Sequence, residues 1–218
     1  MSNLYDETHR AFQDRHDSRR LADRLESLSH AEFDPNDRDF IQAASLFFLA
    51  TVDERGRPTV SYKGGAPGFV QITSNNELVF PVYDGNGMFL SLGNISGKSD
   101  VGMLFIDFQS PRRLRVQGTA RVLPTSDNAA GDYPGAQYVV RVVAECIFVN
   151  CGRYIHKLDE RKLSPHVPDE SGSQPFPAWK RLDVIADTLG EEDRAAVMKA
   201  GGTLAVADYR GEDPDAER

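Results

Sequence analysis

Residues 101–122, VGMLFIDFQSPRRLRVQGTARV, contain two apolar, β-branched runs separated by a short polar stretch with one proline. Such runs, bounded by turn residues, are typical of β-strands joined by a short connection. In the second run, strand alternation places Arg113, Arg115 and Gln117 on one face and the apolar side chains between them on the other. The apolar face is therefore expected to lie in the core, and the arginine face to point outward.

The same alternation of apolar, β-branched runs and turn residues extends from Ser45 to about Cys151. Five more short apolar runs alternate there with turns rich in Gly, Pro and Asn, namely LFFLATVD, TVSYK, GFVQIT, LVFPVY and AECIFVN. Six or seven strands with mostly short connections favour an antiparallel barrel or sandwich over a parallel βαβ sheet. The long connection DGNGMFLSLGNISGKS carries Met88, Leu92 and Ile95 at helical spacing, which predicts a short helix between LVFPVY and VGMLFIDF.

The first 40 residues are highly charged and are expected to form helices outside the strand-rich region. Three leucines at i, i+4 and i+7 predict one amphipathic helix. They are Leu21, Leu25 and Leu28. A second helix is predicted to start with Asp34 as its N-cap and Pro35 in its first position, and to run to about Ala44.

Beyond Cys151 the chain becomes polar and rich in proline, which predicts an extended arm. The segment PAWKRLDVIADTLG is expected to form a helix with Trp179, Leu182 and Ile185 on one face, closed by Gly190. We therefore expect a helical extension over residues 1–39, a strand-rich domain over 40–157, and an arm with a helix over 158–218.

The 218-residue chain has 25 basic and 33 acidic side chains, a formal net charge of −8 and a pI of about 5.1. Such a protein is a poor general binder of nucleic acids or anionic membranes. No apolar run is long enough to span a bilayer, and the acidic N-terminus lacks the order of a signal peptide. Cys146 and Cys151 are separated by an odd spacing, which turns them to opposite faces of a strand and argues against a disulfide. A reducing, cytoplasmic setting is expected.

Four clusters of polar residues could carry chemistry, and the first is the arginine face. No acidic residue lies between Asp107 and Asp127, so Arg113 and Arg115 stand out in an anionic chain. An anionic partner would relieve the repulsion between two neighbouring guanidiniums. A solvated strand face paired with carboxylates of a neighbour is the more ordinary interpretation of the same pattern.

The second cluster is the turn over residues 84–87 and the helix predicted after it. Free N–H groups at a helix start attract anions, and glycine lets an anion approach them closely. Ser91, Asn94 and Lys98 would share a polar stripe along this helix. The pattern matches neither the G-x-G-x-x-G fingerprint nor a P-loop, and a plain turn before a capped helix is the alternative.

The third and fourth clusters are Lys63, at the end of TVSYK beside a Gly-Gly pair, and Arg153 with Tyr154, just after the last strand. A lysine at a strand end is usually exposed, but neighbouring glycines also allow a backbone to pass close to a flat ligand. His156 is given no catalytic role. The sequence has no hydrolase motif, no convincing metal-ligand set among its five histidines, and too few cysteines for a Cys-based zinc site. A protein lacking such groups can still be an enzyme if a cofactor carries the reaction.

Four segments together resemble the pyridoxamine 5'-phosphate oxidase-like flavoproteins, the FMN-binding split-barrel family, and the likeness is greatest to its uncharacterised branch. The segments are FLATVDERGRPTVSYKGG, LVFPVYDGNGMFLSLGNI, PRRLRVQGTARV and IFVNCGRYIHK, in the order found in the family, between about Phe40 and Lys157. The resemblance implies a mainly β fold with flanking helices: a six-stranded antiparallel split β-barrel of Greek-key type. It also implies a homodimer with two FMN sites at the subunit interface.

The resemblance further implies roles for individual positions. Lys63 ends the strand that reaches the flavin phosphate, and residues 86–88 take the place of the segment that wraps it. The arginine face matches the strand that contacts the flavin from the other subunit, and residues 153–154 match a closing segment near the ring or the substrate. No catalytic side chain and no metal are expected. The expected cofactor-binding residues are Lys63, Asn86, Gly87, Met88, Ser91, Asn94, Arg113, Arg115, Arg153 and Tyr154.

The sequence departs from the vitamin-making enzymes of this family in two places. Those enzymes have a Ser-Arg-Lys run in the turn before the helix, where this chain has Gly85-Asn86-Gly87. Their C-terminal Arg/His segment, which grips pyridoxal phosphate, has no match here. These differences weaken the case for pyridoxamine phosphate as the substrate and leave flavin binding standing. They also shift phosphate binding onto Lys63, Lys98, the arginine face and backbone amides.

The expected function is therefore that of an FMN-dependent oxidoreductase, acting by flavin-mediated hydride or electron transfer on an unidentified small molecule. The alternative is a flavin-, haem- or deazaflavin-binding split-barrel protein with no turnover of its own, since related split barrels bind haem or deazaflavin.

Overall fold

The computed structural model describes residues 4–127, 132–156, 158 and 166–209. The chain divides into two compact units, Met1–Leu163 and Ser164–Arg218, and each is described by itself. Within the described ranges, no helix combines the length and the apolar character needed to cross a membrane.

Three helices precede the sheet: α1 (Glu7–Arg15), α2 (Arg19–Glu26) and α3 (Pro35–Ala43). The predicted start of α3 is confirmed. The Asp34 carboxylate accepts a hydrogen bond from the Asp37 amide at 2.9 Å, and Pro35 occupies the first helical position, where its missing N–H does no harm.

The helix predicted for the three leucines is present but shorter than expected, since α2 contains Leu21 and Leu25 and ends before Leu28. Helix α2 ends at Glu26, and the side chains of Leu21, Leu25 and Leu28 are between 51% and 66% exposed. The chain leaves the helical path because the backbone of His30 pairs with Ile147 in the sheet, where it donates to one carbonyl and accepts from one amide.

Seven strands form one antiparallel sheet in the order β2-β1-β5-β6-β7-β4-β3, the predicted split barrel. One strand more than expected is present, a minor difference because β3 contains only two residues. The strands are β1 (Leu46–Val52), β2 (Pro58–Gly64), β3 (Gln71–Ile72), β4 (Glu77–Tyr83), β5 (Asp100–Asp107), β6 (Arg112–Pro124) and β7 (Ala136–Asn150). The predicted bridging helix, α4 (Leu90–Gly97), lies between β4 and β5 and buries Leu92 and Ile95, while Met88 precedes it and is exposed.

The core lies against one face of this sheet. Phe47 is fully buried, and its ring centroid lies 4.9 Å from that of Phe80 and 5.1 Å from that of Phe105. Each such buried ring stabilises the fold by roughly 1.5–3 kcal/mol. On β6, Leu114 and Val116 belong to this core, so the predicted apolar face is confirmed and Arg115 points outward.

A β-bulge interrupts the pairing of β6 with β7 next to the part of β6 that carries Arg113 and Arg115. The register shifts between Gln117 and Gly118, which pair with Cys146 and Ala144. A Cβ atom on Gly118 would lie 2.0 Å from the carbonyl oxygen of Val143, so the two backbones can approach this closely only with glycine there.

The second unit contains three 3₁₀ segments (Ala178–Arg181, Asp183–Thr188 and Val206–Asp208) and helix α5 (Glu191–Lys199). The helix predicted to end at Gly190 is therefore wrong: Leu182 is extended and pairs with Leu204, and Gly190 is the N-cap of α5. Three acidic residues in the first turn of α5 favour that start because they complement the helix dipole. Of the predicted arm, residues 157–177, residues 157 and 159–165 lie outside the described ranges, and residues 166–177 form turns and irregular chain without helix or strand.

Candidate functional site

A cavity of about 320 Å³ opens between β2, the end of β4 and the start of α4. We call it the lysine cavity, and its volume lies at the lower end of the range for small-molecule sites. It is lined by Ser61 and Lys63 of β2, by Val82 and Tyr83 of β4, and by residues 85–92. Half of the predicted cofactor-binding residues meet here, namely Lys63, Asn86, Gly87, Met88 and Ser91.

Lys63 is the one cationic side chain in the described lining of this cavity. It is half-buried, whereas Val60 and Tyr62 on the opposite face of β2 are 68% and 61% exposed. Burial disfavours its ammonium group and lowers the pKa of Lys63, and no charged neighbour offsets that effect. A partly desolvated cation without an ion-pair partner in the described parts of the chain is a favourable place for an anion.

The loop that enters α4 forms the opposite wall. Gly87 and Phe89 both have positive φ angles, of 73° and 49°. Such a backbone is strained for a bulky residue such as Phe89, and strain of this kind is concentrated at ligand sites. Phe89 is the N-cap of α4 and makes no side-chain cap hydrogen bond, so no side chain of the cap occupies the first-turn amides. The amide of Met88 is already taken, because it donates to Oδ1 of Asn86 at 3.1 Å.

A polar seam joins α4 to β1 and β2 beside the cavity. Asn94 donates its side-chain amide to the hydroxyls of Thr51 and Thr59, both at 2.9 Å. Ser91 is buried, with its hydroxyl 2.8 Å from that of Ser61. Of the two predicted ligands on this helix, Ser91 therefore lines the cavity, whereas the Asn94 side chain is committed to holding the helix on the sheet.

Sequence reasoning missed Tyr83 at the end of β4. Its side chain lines the lysine cavity, and burial raises the pKa of its hydroxyl, which keeps it a neutral hydrogen-bond donor. The sequence feature that indicates Tyr83 as a site residue is its position at the end of a strand, immediately before the glycine-rich turn.

A second and larger cavity, of about 890 Å³, lies on the outward face of β6. We call it the arginine cavity. Its lining comes from the α1–α2 region, the start of α3, Arg113, Arg115 and Gln117 of β6, and residues 148–151. Nε of Arg113 is buried and has no hydrogen-bond partner, an uncommon state for a guanidinium nitrogen. Within one chain, the structure thus separates the two arginines from Lys63.

A His–Asp pair in the arginine cavity was also missed by sequence reasoning. Nε2 of His30 lies 2.6 Å from Oδ2 of the buried Asp37, which also accepts from the Asp34 amide at 3.1 Å. Burial of the ring opposes its charged form, but hydrogen bonds to Asp37 and to the carbonyl of Leu28, with the charges of Asp37 and Asp34, raise the pKa of His30. Ligand atoms of His30, Asp34 and Asp37 lie within 4.8 Å of one another, but these groups already bind each other and we assign no metal.

The remaining predicted residues, Arg153 and Tyr154, line neither cavity. The Tyr154 side chain is 85% exposed, and the Arg153 amide donates to Sγ of Cys151 at 3.4 Å. Cys146 and Cys151 are both free thiols, as the odd spacing predicted.

The antiparallel split barrel thus places a partly desolvated lysine opposite a helix start, and two arginines on an outward strand face. The chain belongs to the pyridoxamine 5'-phosphate oxidase family, whose model matches residues 33–166, more than half of its length. The family predicted from the four sequence segments is confirmed. No curated protein matches the chain.

Three solved structures are similar to part of the chain. HupZ from Group A Streptococcus is 20% identical over 54% of this chain and 93% of its own, with a TM-score of 0.45. A Lactobacillus delbrueckii protein provisionally assigned as a pyridoxamine 5'-phosphate oxidase is 26% identical over 56% and 97%, with a TM-score of 0.44. HutZ, the heme storage protein from Vibrio cholerae, is 19% identical over 54% and 94%, with a TM-score of 0.39.

Proposed function

We propose that this protein is an FMN-dependent oxidoreductase that acts on a small molecule, and that the lysine cavity holds the FMN phosphate. The observation that carries the proposal is the half-buried Lys63, which has no described ion-pair partner and lies opposite the start of α4. An FMN phosphate carries close to two negative charges at neutral pH. It would restore a charged partner to Lys63 and accept hydrogen bonds from Ser61, Ser91 and the amides at the helix start.

The residues present fit this cofactor, and the chemistry follows from it. FMN, when bound, supplies two-electron hydride chemistry at its ring. The chain's own part is to bind and orient. Lys63 and the helix start fix the phosphate, Tyr83 offers a neutral hydroxyl, and Met88 and Phe89 offer apolar surface. No side chain needs to act as an acid or a base, which agrees with the absence of a catalytic triad from the sequence.

A homodimer is part of the same proposal. The lysine cavity is small, and Met88, Phe89 and Leu90 around it are 62%, 50% and 50% exposed. A second copy would cover this apolar rim and bring the outward face of its own β6, with Arg113 and Arg115, to the open side of the cavity. Light scattering at micromolar concentration is expected to give twice the chain mass. A monomer with FMN bound contradicts the dimer.

A cytoplasmic setting also belongs to the proposal, because Cys146 and Cys151 stay free thiols most readily in a reducing compartment.

The test of the function is a visible spectrum of the purified protein, followed by titration with FMN. We expect flavin bands, one FMN per chain, and oxidation of NAD(P)H with a dye or oxygen as acceptor. A haem or deazaflavin spectrum, or bound flavin with no turnover on any donor, would favour the binding protein without turnover. A colourless protein with no flavin affinity would defeat the proposal altogether.

A further inference from the structure

The arginine cavity contains positive charge that the described residues do not neutralise. Nε of Arg113 is buried without a partner, and the described part of the chain places no carboxylate against the exposed guanidinium of Arg115. Both carboxylates of the lining are engaged elsewhere: Asp37 accepts from His30 and from the amide of Asp34, and Asp34 accepts from the amide of Asp37. The two carboxylates of the lining therefore have partners other than the guanidiniums.

An apolar wall faces these cations. Leu25 and Leu28 line the same cavity and are 51% and 66% exposed. The partly buried Phe148 of β7, which pairs with Arg115, lines it from the sheet. The cavity accounts for the exposure of Leu25 and Leu28, whereas Leu21, which is also exposed, lies outside it. Aliphatic surface beside free guanidiniums complements a molecule that has an apolar body and one anionic group.

Much of this cavity lies outside the part of the chain that matches the family. Leu25, Leu28 and His30 all precede residue 33, where the match begins. Ligand selection by this wall is therefore a property of this chain's own N-terminal extension.

We propose that the arginine cavity is the substrate site and that it selects an organic anion. Its carboxylate or phosphate would bind Arg115 and Arg113, and its aliphatic or aromatic body would lie against Leu25, Leu28 and Phe148. Calling this ligand the substrate rests on the proposed function, since the flavin of the partner subunit would have to react with it. Binding itself does not depend on that function. Each guanidinium has five N–H donors, so the pair can contact a flavin edge and a substrate anion together.

The experiment uses the full chain, without and with FMN, and the fluorescent organic anion 8-anilinonaphthalene-1-sulfonate as the probe. Octanoate, octyl phosphate and octanol are compared as competitors that share one aliphatic body. Octanoate or octyl phosphate is expected to displace the probe at least tenfold more tightly than octanol. The better of the two anions shows whether the natural group is a carboxylate or a phosphate.

Two variants and two matched controls locate the binding. Arg115→Gln is expected to weaken the preferred anion at least tenfold and to leave octanol unchanged. Leu28→Ser is expected to weaken all three competitors. Arg121→Gln, on the same strand, and Leu21→Ser, 61% exposed on α2, both lie outside the cavity and are expected to match the wild type.

Equal displacement by octanol and the anions, or equal losses in the control variants, overturns the proposal, because the probe then reports only exposed apolar surface. A wild type that binds no probe, as when a second copy covers the cavity, overturns it as well. Loss of FMN affinity in Leu28→Ser also overturns it, since the wall would then belong to the cofactor. A protein that binds octanoate specifically but binds no FMN refutes the proposed function and supports the anion site. A protein that binds FMN but shows no specific displacement of the probe supports FMN binding and refutes the anion site.

Discussion

The two cavities differ in how the chain builds them. Apart from Ser61 and Lys63, the lysine cavity comes from one continuous stretch, residues 82–92, in which a strand ends, the chain turns and a helix starts. The arginine cavity gathers side chains from between Leu4 and Cys151 and depends on the β6–β7 bulge for its geometry. A site formed by a local turn can be predicted from the glycines of that turn. A site formed where distant segments pair cannot, because the strand register is not a local property of the sequence.

The largest effect is expected from Gly118→Ala. The new methyl group would lie 2.0 Å from the Val143 carbonyl oxygen, a backbone atom that cannot move without breaking the ladder. We expect a loss of about 3 kcal/mol in the free energy of unfolding, measured by urea denaturation. The matched change is Gly85→Ala in the lining of the lysine cavity, where a Cβ meets nothing within 4 Å, and it should be nearly neutral. Equal losses in the two variants would erase the contrast.

Lys63→Met should weaken FMN binding by about ten- to hundredfold, since 1.4 kcal/mol is one decade and a charge-assisted hydrogen bond contributes roughly 1.5–3 kcal/mol. Riboflavin, which has no phosphate, should be affected far less. Because burial already disfavours the ammonium group, the variant without ligand should be at least as stable as the wild type. Calorimetric titration with the two flavins measures the ratio.

Arg121→Ala is the control for that titration, since Arg121 lines neither cavity. If this variant also loses FMN, or if FMN and riboflavin suffer alike in Lys63→Met, Lys63 holds the fold or the ring and not the phosphate.

Asn94→Ala should lower the free energy of unfolding by about 1–2 kcal/mol, because its amide joins Thr51 and Thr59 across two strands and Thr51 is buried. Its effect on ligands should be indirect. The ratio of FMN to riboflavin affinity is therefore expected to stay at the wild-type value. A selective loss of FMN affinity would instead indicate that Asn94 contacts the phosphate.

The smallest effect is a pH dependence at His30. Its pKa is raised in the folded protein, so its contribution to stability is complete below the ordinary pKa of about 6.5 and is lost as the pH rises through the folded value. The stability advantage of the wild type over His30→Gln should be about 0.5–1 kcal/mol at about pH 6, because the ring is 32% exposed, and it should shrink by about pH 8.5. Urea denaturation at the two pH values measures it, and an advantage that grows with pH contradicts the ion pair.

The strands, the bridging helix and the start of α3 could be predicted from sequence because each follows from local pattern and capping chemistry. The end of α2 and the region around Gly190 could not, because a long-range pairing decides each: His30 with Ile147, and Leu182 with Leu204. The same holds for the sites. The glycines and Lys63 indicated a phosphate cavity, but nothing local in the sequence places His30 beside Asp37, or two arginines on a different surface from Lys63.

Strand β7 reaches both cavities, one near each of its ends. Near its start the ring of Tyr138 packs edge-on against Phe89, which lines the lysine cavity, and near its end Phe148 lines the arginine cavity. The ten residue steps from Tyr138 to Phe148 span about 33 Å at roughly 3.3 Å per residue. In the proposed dimer, each β7 would therefore act as a rod with one end at each of two different flavin sites. Binding of FMN at one site would then change the FMN affinity of the other site. An FMN binding isotherm that departs from that of independent sites would report this cooperativity.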